Sequence, residues 1–210
     1  MTRRTLLGSF AAVLSVLASG CGSNSITGGS LPPGPNRLAG TAAKATAPDQ
    51  PVAGAQVVVT DASGAERRAT TDASGQFTIA EAAAGPAQVQ VTAAGMHTLS
   101  LGVELPQAGM VTVALAMVPS DVTVDVQSLV PNPPSIQARI GDRVHVSATP
   151  MVGPMHTTSV TPSWVVEGGV GGITHSGMGM AVFQAARTGA GRIVISLGSQ
   201  QAVVPIEVSP

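Results

Sequence analysis

From Arg37 onward, apolar and polar residues alternate with a period of about two along most of the chain, the mark of half-buried strands rather than of helices with a period of about 3.6. Gln56-Val57-Val58-Val59-Thr60 predicts a strand, Asp61-Ala62-Ser63-Gly64 a turn, and Ala65 to Thr71 a return strand. A second Asp72-Ala73-Ser74-Gly75 turn leads into a strand over Gln76-Phe77-Thr78-Ile79-Ala80. In both turns Asp and Ser can bond the local backbone while Gly supplies a positive φ. Further strands are predicted over Ala87 to Ala93, Leu99 to Leu105 and Met110 to Met117. The last places Val111, Val113 and Leu115 on one face and Thr112 and Ala114 on the other.

Pro119 to Asp121 mark a boundary, and a second alternating body follows. It begins with a predicted strand over Asp121 to Val126, then an Ile140-Gly141-Asp142 turn into a strand reaching Ala148. Thr161 to Val166, Met180 to Ala186, Gly191 to Ser196 and Ala202 to Val208 bring this body to about seven strands at short spacing, the rhythm of a sandwich. The fold class is therefore all-β, two tandem β-sandwiches over 37–118 and 121–209.

The first 36 residues follow a different grammar. Arg3 and Arg4 precede a short apolar stretch from Leu6 to Leu17 and then small residues, as in a secretory signal over 1–20. The stretch is too short for a permanent bilayer span. Leu17-Ala18-Ser19-Gly20-Cys21 resembles the lipobox of bacterial lipoproteins, which implies acylation of Cys21 and a mature chain that starts there. An ordinary signal peptide followed by a free thiol is the competing reading of this sole cysteine. Thr2-Arg3-Arg4-Thr5-Leu6-Leu7 also resembles a twin-arginine export signal, with plain positive charge as the alternative. Several acyl chains at about 0.8 kcal/mol per buried methylene make a durable anchor. Gly22 stands where an inner-membrane retention signal would carry Asp, which directs the expectation to the outer membrane, facing the periplasm or the cell surface. Residues 21–36 carry the lipid site and a Gly/Ser/Pro-rich flexible tether.

Composition narrows the function classes. Charged residues make up only 10% of the chain, and without Arg3 and Arg4 there remain eight basic residues against eleven acidic, a net charge of −3. No basic patch points to nucleic acid. Beyond the leader the only aromatic residues are Phe77, Trp164 and Phe183, so the cores must be built from Val, Ile, Leu, Ala and Met. Trp164, on a central strand, is expected in a core rather than on a sugar-stacking platform.

Gly40-Thr41-Ala42, Pro51-Val52-Ala53-Gly54-Ala55-Gln56-Val57-Val58-Val59, Thr71-Asp72-Ala73-Ser74-Gly75-Gln76-Phe77-Thr78-Ile79 and Val89 to Gly95 resemble the carboxypeptidase regulatory-like domain over 37–118. That resemblance implies a transthyretin-like sandwich and a noncatalytic module, in a superfamily that includes starch-binding-like domains. The Ile-Gly-Asp turn, Ser163-Trp164, and Thr188-Gly189-Ala190-Gly191 before Ile193 resemble a bacterial immunoglobulin-like domain over 121–209.

No catalytic motif occurs: there is no Gly-x-Ser-x-Gly elbow, His-Glu-x-x-His helix, phosphate loop or Cys-His pair, and no cofactor is expected. Asp61, Asp72 and Asp142 sit at turns and are read as structural. One cluster of soft donors stands out, Met151, Met155 and His156 in one loop and His175, Met178 and Met180 around another. If the fold is immunoglobulin-like these lie at one end of the sandwich, where thioether and imidazole would suit Cu(I). His145, between Val144 and Val146, is expected on the surface. The expected function is a noncatalytic envelope lipoprotein, held to the membrane by its lipid, that acts as a binding, adhesive or structural module for a protein or polysaccharide partner. A carbohydrate-binding accessory protein and a copper-binding envelope protein are the alternatives.

Overall fold

The computed structural model describes residues 37–153, 156–157 and 160–210. Among the described residues, seventeen strands follow in order. The first eight are β1 (Arg37–Lys44), β2 (Ala47–Pro51), β3 (Gln56–Thr60), β4 (Glu66–Thr70), β5 (Gln76–Ala80), β6 (Gly85–Thr92), β7 (Leu99–Leu105) and β8 (Met110–Met117). The remainder are β9 (Ser128–Asn132), β10 (Ile136–Arg139), β11 (Arg143–Gly153), β12 (His156–Thr157), β13 (Ser163–Glu167), β14 (Gly171–Gly177), β15 (Met180–Ala185), β16 (Gly189–Leu197) and β17 (Gln200–Ser209). The all-β expectation holds, and β3, β5, β7 and β8 occupy the spans that alternation assigned them.

The two halves are joined through one sheet. Its strand order is β10-β17-β16-β13-β8-β1-β2, with β5 also paired to β1. β8 belongs to the first half and β13 to the second, yet they pair antiparallel in the register Trp164 to Ala114, Val165 to Val113 and Val166 to Thr112. On its other edge β8 runs parallel to the whole of β1, from Arg37 opposite Met110 to Lys44 opposite Met117. Gly40 makes that approach feasible, because a Cβ there would stand 2.3 Å from Val113 Cγ2 and 2.5 Å from the Val113 carbonyl oxygen.

Each face of this sheet serves a different core. A four-stranded sheet, β4-β3-β6-β7, covers one face, with Val57, Val59, Val89, Leu101 and Leu105 packed against Leu38, Phe77, Val111, Val113 and Met117. Val165 and Val194, from the second half, belong to that first core. A sheet of β9, β11, β12, β14 and β15 covers the other face, with Phe183, Ile173 and Val146 packed among Trp164, Val166, Ile193 and Ile195. Ala45, Ala114 and Ala116, from the first half, lie in this second core. The side of β8 read from alternation as polar or small is therefore also buried, and every residue of β13 is buried.

One sequence expectation is overturned, and one strand went unread. Asp121 to Val126 is not a strand: it is an extended connector without a ladder partner, and its alternation is real because Val126 is buried while Val122 and Val124 are half-buried. Strand pairing begins instead at β9 and β10, the latter parallel to β17. β14, with three glycines in Gly171-Gly172-Ile173-Thr174-His175-Ser176-Gly177, carries no alternating pattern and escaped sequence reading. Glycine is required there, since a Cβ on Gly171 would meet the Gln184 carbonyl oxygen at 2.1 Å and one on Gly172 would press on Thr112.

Candidate functional site

The acidic turn residues form hydrogen-bonded caps. Asp61 Oδ1 accepts bonds from the amides of Ser63 (2.9 Å) and Ala65 (3.2 Å) and from the Ser63 hydroxyl, while Oδ2 accepts the Ala83 amide at 2.9 Å. These donors, the Ala83 amide first and the Ser63 hydroxyl next, hold the Asp61 carboxyl down at about 2. Asp72 repeats the arrangement with the Ser74 hydroxyl (2.7 Å) and the amides of Gln76 (2.9 Å) and Ser74 (2.8 Å), and its carboxyl is lowered too, chiefly by the Ser74 hydroxyl. Carboxylates so committed to their own turns are poor proton shuttles, in keeping with the structural role read from the sequence.

A third acid was not singled out by the sequence. Glu167 closes β13 with its side chain almost wholly buried. Its Oε1 accepts the Glu104 amide of β7 at 2.7 Å, and its Oε2 accepts the Arg192 guanidinium of β16. β7 is an edge strand of the four-stranded sheet, so this carboxylate satisfies an amide that would otherwise lie unpaired beside the seam. Further bonds cross the halves, among them Ala116 N to Ser163 Oγ at 2.9 Å, Ile173 N to Thr112 Oγ1 at 3.3 Å and Thr161 N to the Ala45 carbonyl oxygen at 2.8 Å. The only signal in the sequence was a charged residue ending an otherwise apolar run, Trp164-Val165-Val166-Glu167.

The cleft of most chemical interest, about 680 Å³, lies between β1–β2 and the outer face of the second half's covering sheet. Asp49 lines one wall, and Arg143, His145, Thr174, His175 and Val182 line the other. The register explains this grouping. Val182 of β15 stands opposite His145 of β11 on one side and His175 of β14 on the other. One step along, Met180 stands between Ser147 and Gly177. Ala181 and Phe183 point to the core, so Val182, Met180 and their partners share the outer face.

The soft-donor candidates divide. His175, Met178 and Met180 lie on the β14–β15 hairpin, with Met178 78% and Met180 52% exposed. Met151 lies farther along β11, paired with Ser128 of β9 on one edge and Thr157 of β12 on the other. Ser147 likewise meets Asn132 of β9 on one edge and Met180 on the other. With β9 on the same edge at both points, β12 and β15 share the opposite edge of β11, four residues apart or about 13 Å. Met155 lies outside the described residues, as does Cys21, and of His156 only the backbone is described. The structure thus brings His145, which the sequence reading set aside, beside His175 and Met180. No motif spacing could have shown this, because the link is cross-strand register.

Met178 carries a further oddity. It and Gly179 are the two loop residues of the hairpin closed by Gly177 opposite Met180, with φ of 48° and 74°. Asn or Gly usually fills the first such position, and a left-handed conformation costs other residues roughly 1–2 kcal/mol. Met has no polar group to bond the local backbone in return. Among the described residues no three of His, Cys, Asp and Glu gather in a metal-sized cluster, so any soft-cation site here must draw on the thioethers.

Residues 37–118 match the family model of the carboxypeptidase regulatory-like domain. The match covers the first half, from β1 to just beyond β8, and ends short of β13, the strand that completes the pairing of β8. No curated protein matches the chain. Among solved structures, the chain is similar to domains 4 and 5 of the S-layer protein SbsC, at 15% identity and a TM-score of 0.34, covering 63% of this chain and 69% of that one. It is also similar to the Bacillus anthracis TIE protein (10% identity, TM-score 0.35, 82% of this chain and 33% of that one). A Streptococcal ancillary pilin shares 12% identity at a TM-score of 0.33, over 82% of this chain and 60% of that one. The chain thus spans a third of the TIE protein and three fifths of the pilin.

Proposed function

We propose that the chain is a noncatalytic, lipid-anchored envelope protein that presents one stiff β-body to a protein or polysaccharide partner from the end of a tether. The observation that carries this reading is the continuous sheet through both halves. Tandem sandwiches linked by a few residues ordinarily move against each other. Here, pairing of β8 with β13, a strand buried throughout, and the Glu167 bonds across the seam remove that freedom. A body of this kind suits holding a surface at a fixed distance and orientation. Support for a noncatalytic role comes from the regulatory-like module of the first half and from the commitment of Asp61 and Asp72 to turn structure.

The anchor rests on the Leu17-Ala18-Ser19-Gly20-Cys21 motif, and the Gly/Ser/Pro stretch to Asn36 would set the standoff. The outer membrane is the proposed location, by Gly22. The test is metabolic labelling of cells expressing the full chain with an alkyne-tagged palmitate, alongside Cys21→Ala, followed by protease treatment of intact cells. Label on the parent chain and none on the variant is expected. An unlabelled parent refutes the anchor, and digestion from outside distinguishes surface display from a periplasmic station.

A further inference from the structure

We propose that His145, His175 and Met180 form a binding site for a soft monovalent cation, Cu(I) by their donor chemistry, with Met178 at the hairpin turn as an additional thioether. The placement comes from register. His145 and His175 flank Val182 in one cross-strand row, about 10 Å apart over two strand spacings. Met180 lies one step along the central strand of the three, diagonal to both imidazoles at about 7–8 Å, a span that aromatic and long side chains bridge. Gly177, directly opposite Met180, carries no side chain of its own, and Pro48 of β2 packs against it on that face.

Three further observations point to a ligand rather than to ordinary surface. Among the described residues neither imidazole is engaged in a hydrogen bond or ion pair, so both are free to coordinate. Two methionines stand exposed on one hairpin, and Met178 does so in a left-handed turn position that its side chain does nothing to stabilise. Lastly, both imidazoles, though neither Met178 nor Met180, line the cleft together with Asp49, which gives an ion a route to the histidines and a carboxylate beside it.

The donor set selects the metal. Neutral imidazole and thioether suit a d¹⁰ monovalent ion and suit Mg(II) or Ca(II) poorly. Arg143, two residues before His145 and lining the same cleft, adds positive charge that disfavours a divalent ion more than a monovalent one. Met151 and β12 lie along the same edge of β11 but about 13 Å away, beyond a shared ion.

The test uses the full chain with Ag(I) as the redox-inert probe, followed by competition with a chromophoric Cu(I) chelator under anaerobic reducing conditions. Methionine methyl resonances are recorded in parallel. One ion per chain is expected, with the Met180 and Met178 methyls shifting. Met180→Leu and His175→Ala should each weaken binding by roughly tenfold or more, as should His145→Ala. Met151→Leu and His156→Ala should leave it unchanged. Exposure of Met180 and both histidines makes these variants safe for the fold, and Trp164 fluorescence verifies that. The proposal is overturned by absence of a stoichiometric ion, by full retention of binding in Met180→Leu/His175→Ala, or by loss in His156→Ala. A site that prefers Zn(II) and ignores Met180→Leu also overturns it, since two imidazoles would then suffice.

Discussion

Replacing Glu167 with Ala tests whether the two halves are one cooperative body. The side chain is buried and accepts from the Glu104 amide at 2.7 Å and from Arg192, whose own side chain is 51% exposed. The variant strips the Glu104 amide of a part-buried bond to a charged acceptor, worth about 1.5–3 kcal/mol. Loss of the ion pair adds at most about 1 kcal/mol, because the half-exposed guanidinium regains water. A net loss of about 2 kcal/mol follows, and with an m-value of about 2 kcal/mol/M the urea midpoint should fall by about 1 M. Trp164 fluorescence and far-UV circular dichroism should report the same single transition in both proteins, since Trp164 sits on the shared strand. Glu104 should also lose amide hydrogen-exchange protection. Glu167→Gln, which keeps an oxygen for the Glu104 amide, should fall by less than half as much. A midpoint shift under about 0.3 M with Glu104 still protected, or two separate transitions in the parent, would refute the reasoning.

Other expectations are independent of this one. Because the folded-state carboxyl of Asp61 lies at about 2, below its ordinary 3.8, its stabilising effect is complete above that ordinary value and is lost as pH falls toward 2. Asp61→Asn should therefore flatten the decline of the urea midpoint between pH 4 and 2, and an unchanged slope would show that the Ala83 and Ser63 bonds do not hold the carboxylate. Gly40→Ala drives a methyl into Val113 at the parallel β1–β8 pairing and should cost about 1–3 kcal/mol or more by urea titration, while a loss under about 0.5 kcal/mol would show that the strands can part freely.

Alternation revealed strands wherever one face met a core and the other met water or a different residue size, as in Gln76 to Ala80 and Leu99 to Leu105. It failed where that contrast vanished. Thr112, Ala114 and Ala116 look like the outer side of an ordinary strand, and nothing local to them says that β14 covers them. The covering strand itself is rich in glycine, so its packing leaves no hydrophobic trace. Asp121 to Val126 shows the converse: an extended connector lying on a core produces the same alternation as a strand without any ladder. The candidate site followed the same logic. Met180 and His175 were visible by residue type, whereas His145 enters through a register that unites residues 30 or more positions apart.

The shared sheet also changes where the chain can be cut. A fragment ending at residue 118, where the family match stops, deletes the partner of the Thr112 to Ala114 edge and uncovers Ala114 and Ala116. It leaves the first core short of Val165 and Val194. A bare, apolar strand edge is a template for pairing with other chains, so such a fragment would be prone to self-association. During synthesis the same edge stays open until residues 163–167 have emerged, which makes the second half an intramolecular shield for the first.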